Sequence, residues 1–200
     1  MKCCKSYCCK NKINSSYIKW LVELLAPVLM GSKPAEIISI PNYDLNKENK
    51  LYEISKYFSE CKKINFFIID KKNKNIKILF VNKIALEKTL KCKKSLNFLK
   101  FLGYPIEINV DLYISYLIDK LNTEIFPDEI GIFLGYPIKD VVGFMGYGNE
   151  KSYNTKYWRV YGDPKPSEDI FSKFLYHREK MRNLLNFHSI EEILDNLDAV

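Results

Sequence analysis

Ile64-Asn-Phe-Phe-Ile-Ile69 and Ile76-Lys-Ile-Leu-Phe-Val81 are two runs of β-branched and aromatic residues, joined by the polar loop Asp70-Lys-Lys-Asn-Lys-Asn75. Runs of this composition on either side of a short polar loop predict an antiparallel β-hairpin. The rest of the chain is read outward from it.

Upstream, Glu36 to Ile40 reads as a further strand, stopped by Pro41. Leu51, Ile54, Tyr57 and Phe58 mark an amphipathic helix between that strand and the hairpin. Before them Ile18, Leu21, Val22, Leu25 and Leu29 share one helical face, with a cap at Ser15 or Ser16, a kink at Pro27 and an end at Gly31. Downstream, short helices are expected at 84–90 and 95–102, the second closed by Gly103. A longer helix follows with the stripe Val110, Tyr113, Ile114, Leu117 and Leu121.

The continuous apolar run Ile130 to Leu134, bounded by Pro127 and Gly135, reads as a central strand covered on both faces. Pro137 suits the first turn of a helix through Val141, Val142 and Met145, and Tyr157 to Tyr161 supplies another strand. Strand, helix, strand over 130–161 predicts a right-handed parallel βαβ-like unit. The last helices start near Asp163-Pro164 and at Ser189, where Ser189 and Glu192 form a capping box. The expectation is one α/β domain of α+β character over residues 15–200, with a mixed central sheet flanked by helices. Residues 1–14 read as a disordered tail rich in cysteine and lysine. Phe-Leu-Gly-Tyr-Pro-Ile occurs at both 101–106 and 133–138 with unlike flanks, and is read as coincidence or local convergence.

Composition narrows the class. Hydrophobic residues make up 47% of the 200, including 12 Phe, 14 Tyr and 2 Trp, enough for a core without metals or disulfides. No apolar stretch is long enough to span a bilayer, and the N-terminal lysines precede no apolar segment of the secretory kind, so a cytoplasmic location with reduced cysteines is expected. Net charge is +7, but it is unevenly spread: residues 1–100 hold 21 lysines against 8 acids, and residues 101–200 hold 10 basic residues against 16 acids. The lysine-rich stretch 62–100 suits an acidic partner. Nucleic acid is disfavoured, because the chain has only three arginines, the usual tool for bidentate phosphate and base contacts.

The candidate site is the loop Asp128 to Pro137. In open α/β sheets ligands gather at the carboxyl ends of strands, and a glycine at 135 allows close backbone approach. Asp128, Gly135 and Tyr136, with Trp158, Arg159 and Tyr161 on a neighbouring strand, are the expected ligand-binding residues. Glu129 is the one candidate acid–base group, and the helix from Pro137 offers an N-terminus to an anion. Cys3, Cys4, Cys8 and Cys9 are candidate soft-metal ligands, although they lack the long loop between the two halves of a structural zinc site. No phosphate loop, Gly-x-Ser-x-Gly or His-Glu-x-x-His motif occurs, and no cofactor is expected.

One long segment carries a resemblance. Phe126-Pro-Asp-Glu-Ile-Gly-Ile-Phe-Leu-Gly-Tyr-Pro-Ile-Lys-Asp-Val-Val-Gly-Phe144, followed by Tyr157-Trp-Arg-Val-Tyr-Gly-Asp163, resembles the core signature of a bacterial family catalogued as domain of unknown function 3793. Ala26-Pro-Val-Leu-Met-Gly-Ser-Lys33 and Ser189-Ile190 resemble its N- and C-terminal motifs, so the likeness spans about residues 20–195. The resemblance implies no particular activity. Where members of that family often carry His-Cys, His and cysteines, this chain has Leu24-Leu25, Asp128, Thr155 and His177, so a shared thiol or metal chemistry would be largely missing. The reading that follows is a non-catalytic module binding a small ligand or partner. The alternatives are an enzyme for a small anionic substrate at 128–137, and a lysine-patch protein docking on an acidic partner.

Overall fold

In the computed structural model, residues 5–71, 74–155 and 157–197 are described, with side chains from Ser16 onward. The chain runs α1 (Lys5–Leu29), β1 (Ala35–Ile40), α2 (Lys47–Phe58), β2 (Asn65–Ile69), β3 (Ile76–Val81), α3 (Lys83–Leu90), α4 (Lys93–Phe101) and α5 (Val110–Leu121). It continues with α6 (Ile130–Phe133), α7 (Ile138–Phe144), β4 (Ser152–Asn154), β5 (Arg159–Tyr161), α8 (Lys165–Leu184) and α9 (Ile190–Asn196). The architecture is α+β. No helix among the described residues is long and apolar enough to cross a membrane.

The Ile76–Val81 run is apolar almost throughout because β3 is the middle strand of the order β1-β3-β2 and is covered on both faces. Strand residues alternate between faces, and the packing follows that alternation. Ile76, Ile78 and Phe80 join Ile38 and Ile40 in a core closed by α1, α2, α9 and Met181 of α8. Leu79 and Val81, with Ala35 and Ile69, face the second core, built from α3 to α7. The expected hairpin is present: β2 pairs antiparallel with β3, Phe66 opposite Phe80 and Ile68 opposite Ile78. The helix stripes also hold, with Leu21, Val22 and Leu25 of α1 and Tyr113, Ile114 and Leu117 of α5 all buried.

Asn82 ties the two cores together. It is buried, its side-chain oxygen caps α3 through the Ala85 N–H at 3.0 Å, and its amide donates to the Val28 carbonyl at 2.9 Å. Asn82→Ala removes the cap and one of the two donors to the Val28 oxygen, which keeps the Gly31 N–H, so a loss of about 2 kcal/mol in urea unfolding is expected.

Two expectations need correction. The sheet is not mixed, for both pairings of the main sheet are antiparallel. Ile130 to Leu134 is not a strand but the short helix α6 with its C-cap, so there is no βαβ-like unit; β5 pairs instead with β4, antiparallel, in a separate two-stranded ribbon. A short apolar run buried on all sides has no periodicity to tell strand from helix. The repeated hexapeptide, read as coincidence or local convergence, explains the second, and the structure shows local convergence. In both copies of Phe-Leu-Gly-Tyr-Pro-Ile the Gly N–H bonds back three residues and the Tyr N–H five, Gly103 to Lys100 and Tyr104 to Leu99, Gly135 to Ile132 and Tyr136 to Gly131. Both glycines have positive φ, 87° and 78°. This is the Schellman helix terminator, and the same pair of bonds ends α1 at Gly31 and α7 at Gly146.

At the N-terminus α1 begins at Lys5, ahead of the expected cap at Ser15 or Ser16 and inside the stretch read as a tail. Cys3 and Cys4 lie outside the described residues, as do the side chains of Cys8 and Cys9. Among the described residues no group of three or more His, Cys, Asp or Glu is placed to hold a metal ion.

Candidate functional site

The turn from α6 into α7 places the site. Gly135, held at φ +78° by the terminator, turns the chain so tightly that a Cβ there would stand 2.7 Å from Pro34 Cδ. Pro137 then disfavours a helical Tyr136, whose ring instead projects and stacks on Trp158 with centroids 4.4 Å apart and planes at 17°. Phe171 and Phe174 of α8 pack around the same indole, and Tyr157 lies edge-on to it.

A buried carboxylate fixes this arrangement. Asp140, 2% exposed, sits in the first turn of α7. Its Oδ2 accepts from Trp158 Nε1 at 2.8 Å and Ser167 Oγ at 2.6 Å, and its Oδ1 from the Tyr161 N–H at 2.8 Å and Lys139 Nζ at 2.7 Å. Burial on its own would raise the Asp140 carboxyl, but the Lys139, Ser167, Tyr161 and Trp158 donors outweigh it and hold the group below the ordinary aspartate value. Lys139 Nζ also donates to the Tyr161 carbonyl at 2.8 Å and Ser167 Oγ at 3.0 Å. One carboxylate thus joins α7, the β4–β5 ribbon and the start of α8.

Beside the stack opens a cleft of about 370 Å³, largely apolar. Ile130, Gly131, Val141 and Phe144 line it with Tyr136 and Trp158, and Phe126, Asp128 and Arg159 are exposed at its edge. Gly131 is where α6 and α7 meet closely, since a Cβ there would lie 2.8 Å from Val141 Cγ2. On the other side of the stack a smaller pocket of about 180 Å³ contains Lys33, 6% exposed, paired with Glu36 at 2.7 Å and lying over the Tyr136 and Phe174 rings. Burial, and to a lesser degree Glu36, pushes the Tyr136 phenol up to about 12.

Of the residues expected from sequence, Asp128, Tyr136, Trp158 and Arg159 come together around the cleft. Gly135 and Tyr161 do not line it: Gly135 abuts Pro34, and the Tyr161 ring packs where a Cβ on Gly143 would be, 2.4 Å away. Glu129 also turns away. Its buried carboxylate accepts from Tyr104 Oη at 3.2 Å and pairs with Lys120, locking α6 to α5. Sequence reasoning missed Asp140, the residue on which the arrangement depends. A lone aspartate in the first turn of a helix reads as an ordinary favourable charge there.

A family model for a protein of unknown function, DUF3793, matches residues 21–194. The chain belongs to this family. The part of this DUF3793 protein that matches contains the whole cleft, the Asp140 network and both copies of the repeated hexapeptide. No curated protein and no solved structure matches it.

Proposed function

We propose that this protein is a cytosolic binding module that takes a flat, largely apolar small molecule in the cleft beside Tyr136 and Trp158 and performs no chemistry on it. The observation that carries the reading is the Asp140–Trp158 hydrogen bond. It holds one wall of the cleft in place without help from a ligand, which is the preorganisation that lowers the entropic cost of binding. A concave, mainly apolar cleft with a few polar groups at its mouth is the usual form of a small-molecule site. Asp128 and Arg159 there would meet the polar end of such a ligand. The catalytic alternative finds less support, since Glu129 is engaged with Tyr104 and Lys120 and the first turn of α7 already holds a carboxylate of its own.

The test uses Trp158 as reporter. Trp20 is the other tryptophan and lies 48% exposed on α1, so Trp20→Phe leaves Trp158 as the only indole. Titration with 8-anilinonaphthalene-1-sulfonate, an aromatic probe, is expected to shift Trp158 emission saturably. Phe144→Ala, at a wall residue 54% exposed, should weaken that binding about tenfold, the loss of one good aromatic contact. Equal binding by the Phe144→Ala variant, or binding that leaves Trp158 emission unchanged, rules the cleft out as the site.

A further inference from the structure

A further pocket, of about 260 Å³, opens on another part of the molecule and sets basic groups around an apolar floor. Its apolar floor comes from Leu29 and Met30 at the end of α1 and from Ile84 and Ala85 in the first turn of α3. Its basic groups come from three segments far apart in sequence: Lys63 before β2, Lys88 on α3, and His177 with Lys180 on α8. Helical spacing accounts for the convergence. Ile84 and Lys88 are four residues apart on α3, and His177 and Lys180 three apart on α8, so each pair shares a face. Among the described residues lining the pocket there is no acidic side chain.

Lysines that only solvate a surface point outward from a convex face, whereas these surround a concavity. The His177 ring packs at the pocket's side through Nδ1, 2.6 Å from Ser32 Oγ, whose own hydrogen goes to the Pro27 carbonyl at 3.2 Å. In the neutral ring Nδ1 therefore donates to Oγ, and the imidazole is no donor to an anion. Two further observations fit an anion. His177 is held below its ordinary value, first by burial and then by the charges of Lys173 and Lys180, so its surroundings are electropositive. The α3 N-terminus, capped by Asn82, adds the positive end of a helix dipole. A single carboxylate would meet only part of this charge; a phosphate, with about two charges and several acceptor oxygens, matches it better.

We propose that this pocket binds the phosphate group of a small soluble molecule, with Lys88 and Lys180 as its charged contacts. The site is separate from the aromatic cleft and does not depend on the reading of that cleft. Calorimetric titration of the full chain at low ionic strength with inorganic phosphate and with pyrophosphate tests it. Saturable binding is expected, tighter for pyrophosphate, and Trp158 emission should not move. Lys88→Glu with Lys180→Glu should weaken pyrophosphate binding about a hundredfold, each lost charged contact contributing about tenfold. Lys180→Gln alone should weaken it about tenfold, and it serves the same purpose if the double reversal does not fold by circular dichroism. No saturable binding of either anion, or binding unchanged by these substitutions, overturns the proposal. So does retention on vesicles of anionic phospholipid without pyrophosphate binding, which would make the ligand a lipid headgroup.

Discussion

Gly135→Ala is expected to destabilise the protein by about 3 kcal/mol, while Gly146→Ala costs about 1 kcal/mol. Both glycines adopt nearly the same left-handed conformation, φ +78° and +80°. Any L side chain there carries a conformational penalty of about 1 kcal/mol or somewhat more. The two sites differ in what a Cβ would meet. At Gly146 nothing lies within 4 Å, whereas at Gly135 the Pro34 Cδ stands at 2.7 Å and Phe174 Cζ at 3.7 Å. Pro34 is a rigid ring in the connection between α1 and β1, so it cannot rotate aside as a flexible side chain would, and the overpacking adds about 2 kcal/mol. Urea unfolding with an unchanged m value gives both quantities directly. Thermal midpoints should fall by roughly 8 °C and roughly 3 °C. Equal losses at the two glycines would mean that Pro34 yields and that the turn is not held against it. Gly135 therefore acts on the cleft through geometry alone, by aiming Tyr136 at Trp158.

That outcome bears on what could be read from the residues. The elements with a clear period were legible: the alternating faces of the 64–81 hairpin, the one-sided stripes of α1, α2 and α5, and the capping box of α9. The run 130–134 was not, because α6 is a single turn buried on every side, and burial removes the polar face from which a period is read. The signal that would have corrected it was present in the sequence. A hexapeptide that ends a helix at 101–106 favours the same ending at 133–138, since a Gly at C′ suits the left-handed turn of the terminator and a Pro shortly after it cannot continue the helix. Around the cleft, Tyr136 and Trp158 were legible as a pair because aromatic residues beside a turn are candidate contacts. Asp140 was not, since its importance comes from donors 18, 21 and 27 residues away that only the fold brings together.

Asp140→Asn is expected to remove about 3 kcal/mol of stability at neutral pH, as for a buried charge network broken at one member. The argument rests on donor and acceptor types. The carboxylate presents two oxygens to four donors, Trp158 Nε1 and Ser167 Oγ on one side, and the Tyr161 N–H and Lys139 Nζ on the other. An asparagine keeps one oxygen and turns an amide toward the other side. The Ser167 hydroxyl can rotate and accept, but the Trp158 indole, the Tyr161 backbone and the Lys139 ammonium are donors only. Either orientation therefore sets an N–H against an obligate donor and leaves Lys139 without its carboxylate. The pH dependence provides the check. Because the folded-state value of Asp140 is lowered, its contribution is full above the unfolded value of about 4 and is lost as pH falls through the folded one. The stability difference between wild type and Asp140→Asn should thus stay constant from about pH 5 to pH 8 and shrink below about pH 4. In a Trp20→Phe background the variant should also show red-shifted Trp158 emission, as the indole loses its anchor and gains water. A variant as stable as wild type at pH 7, with unshifted emission, would mean that ring stacking alone positions Trp158, and that the cleft wall does not depend on the carboxylate.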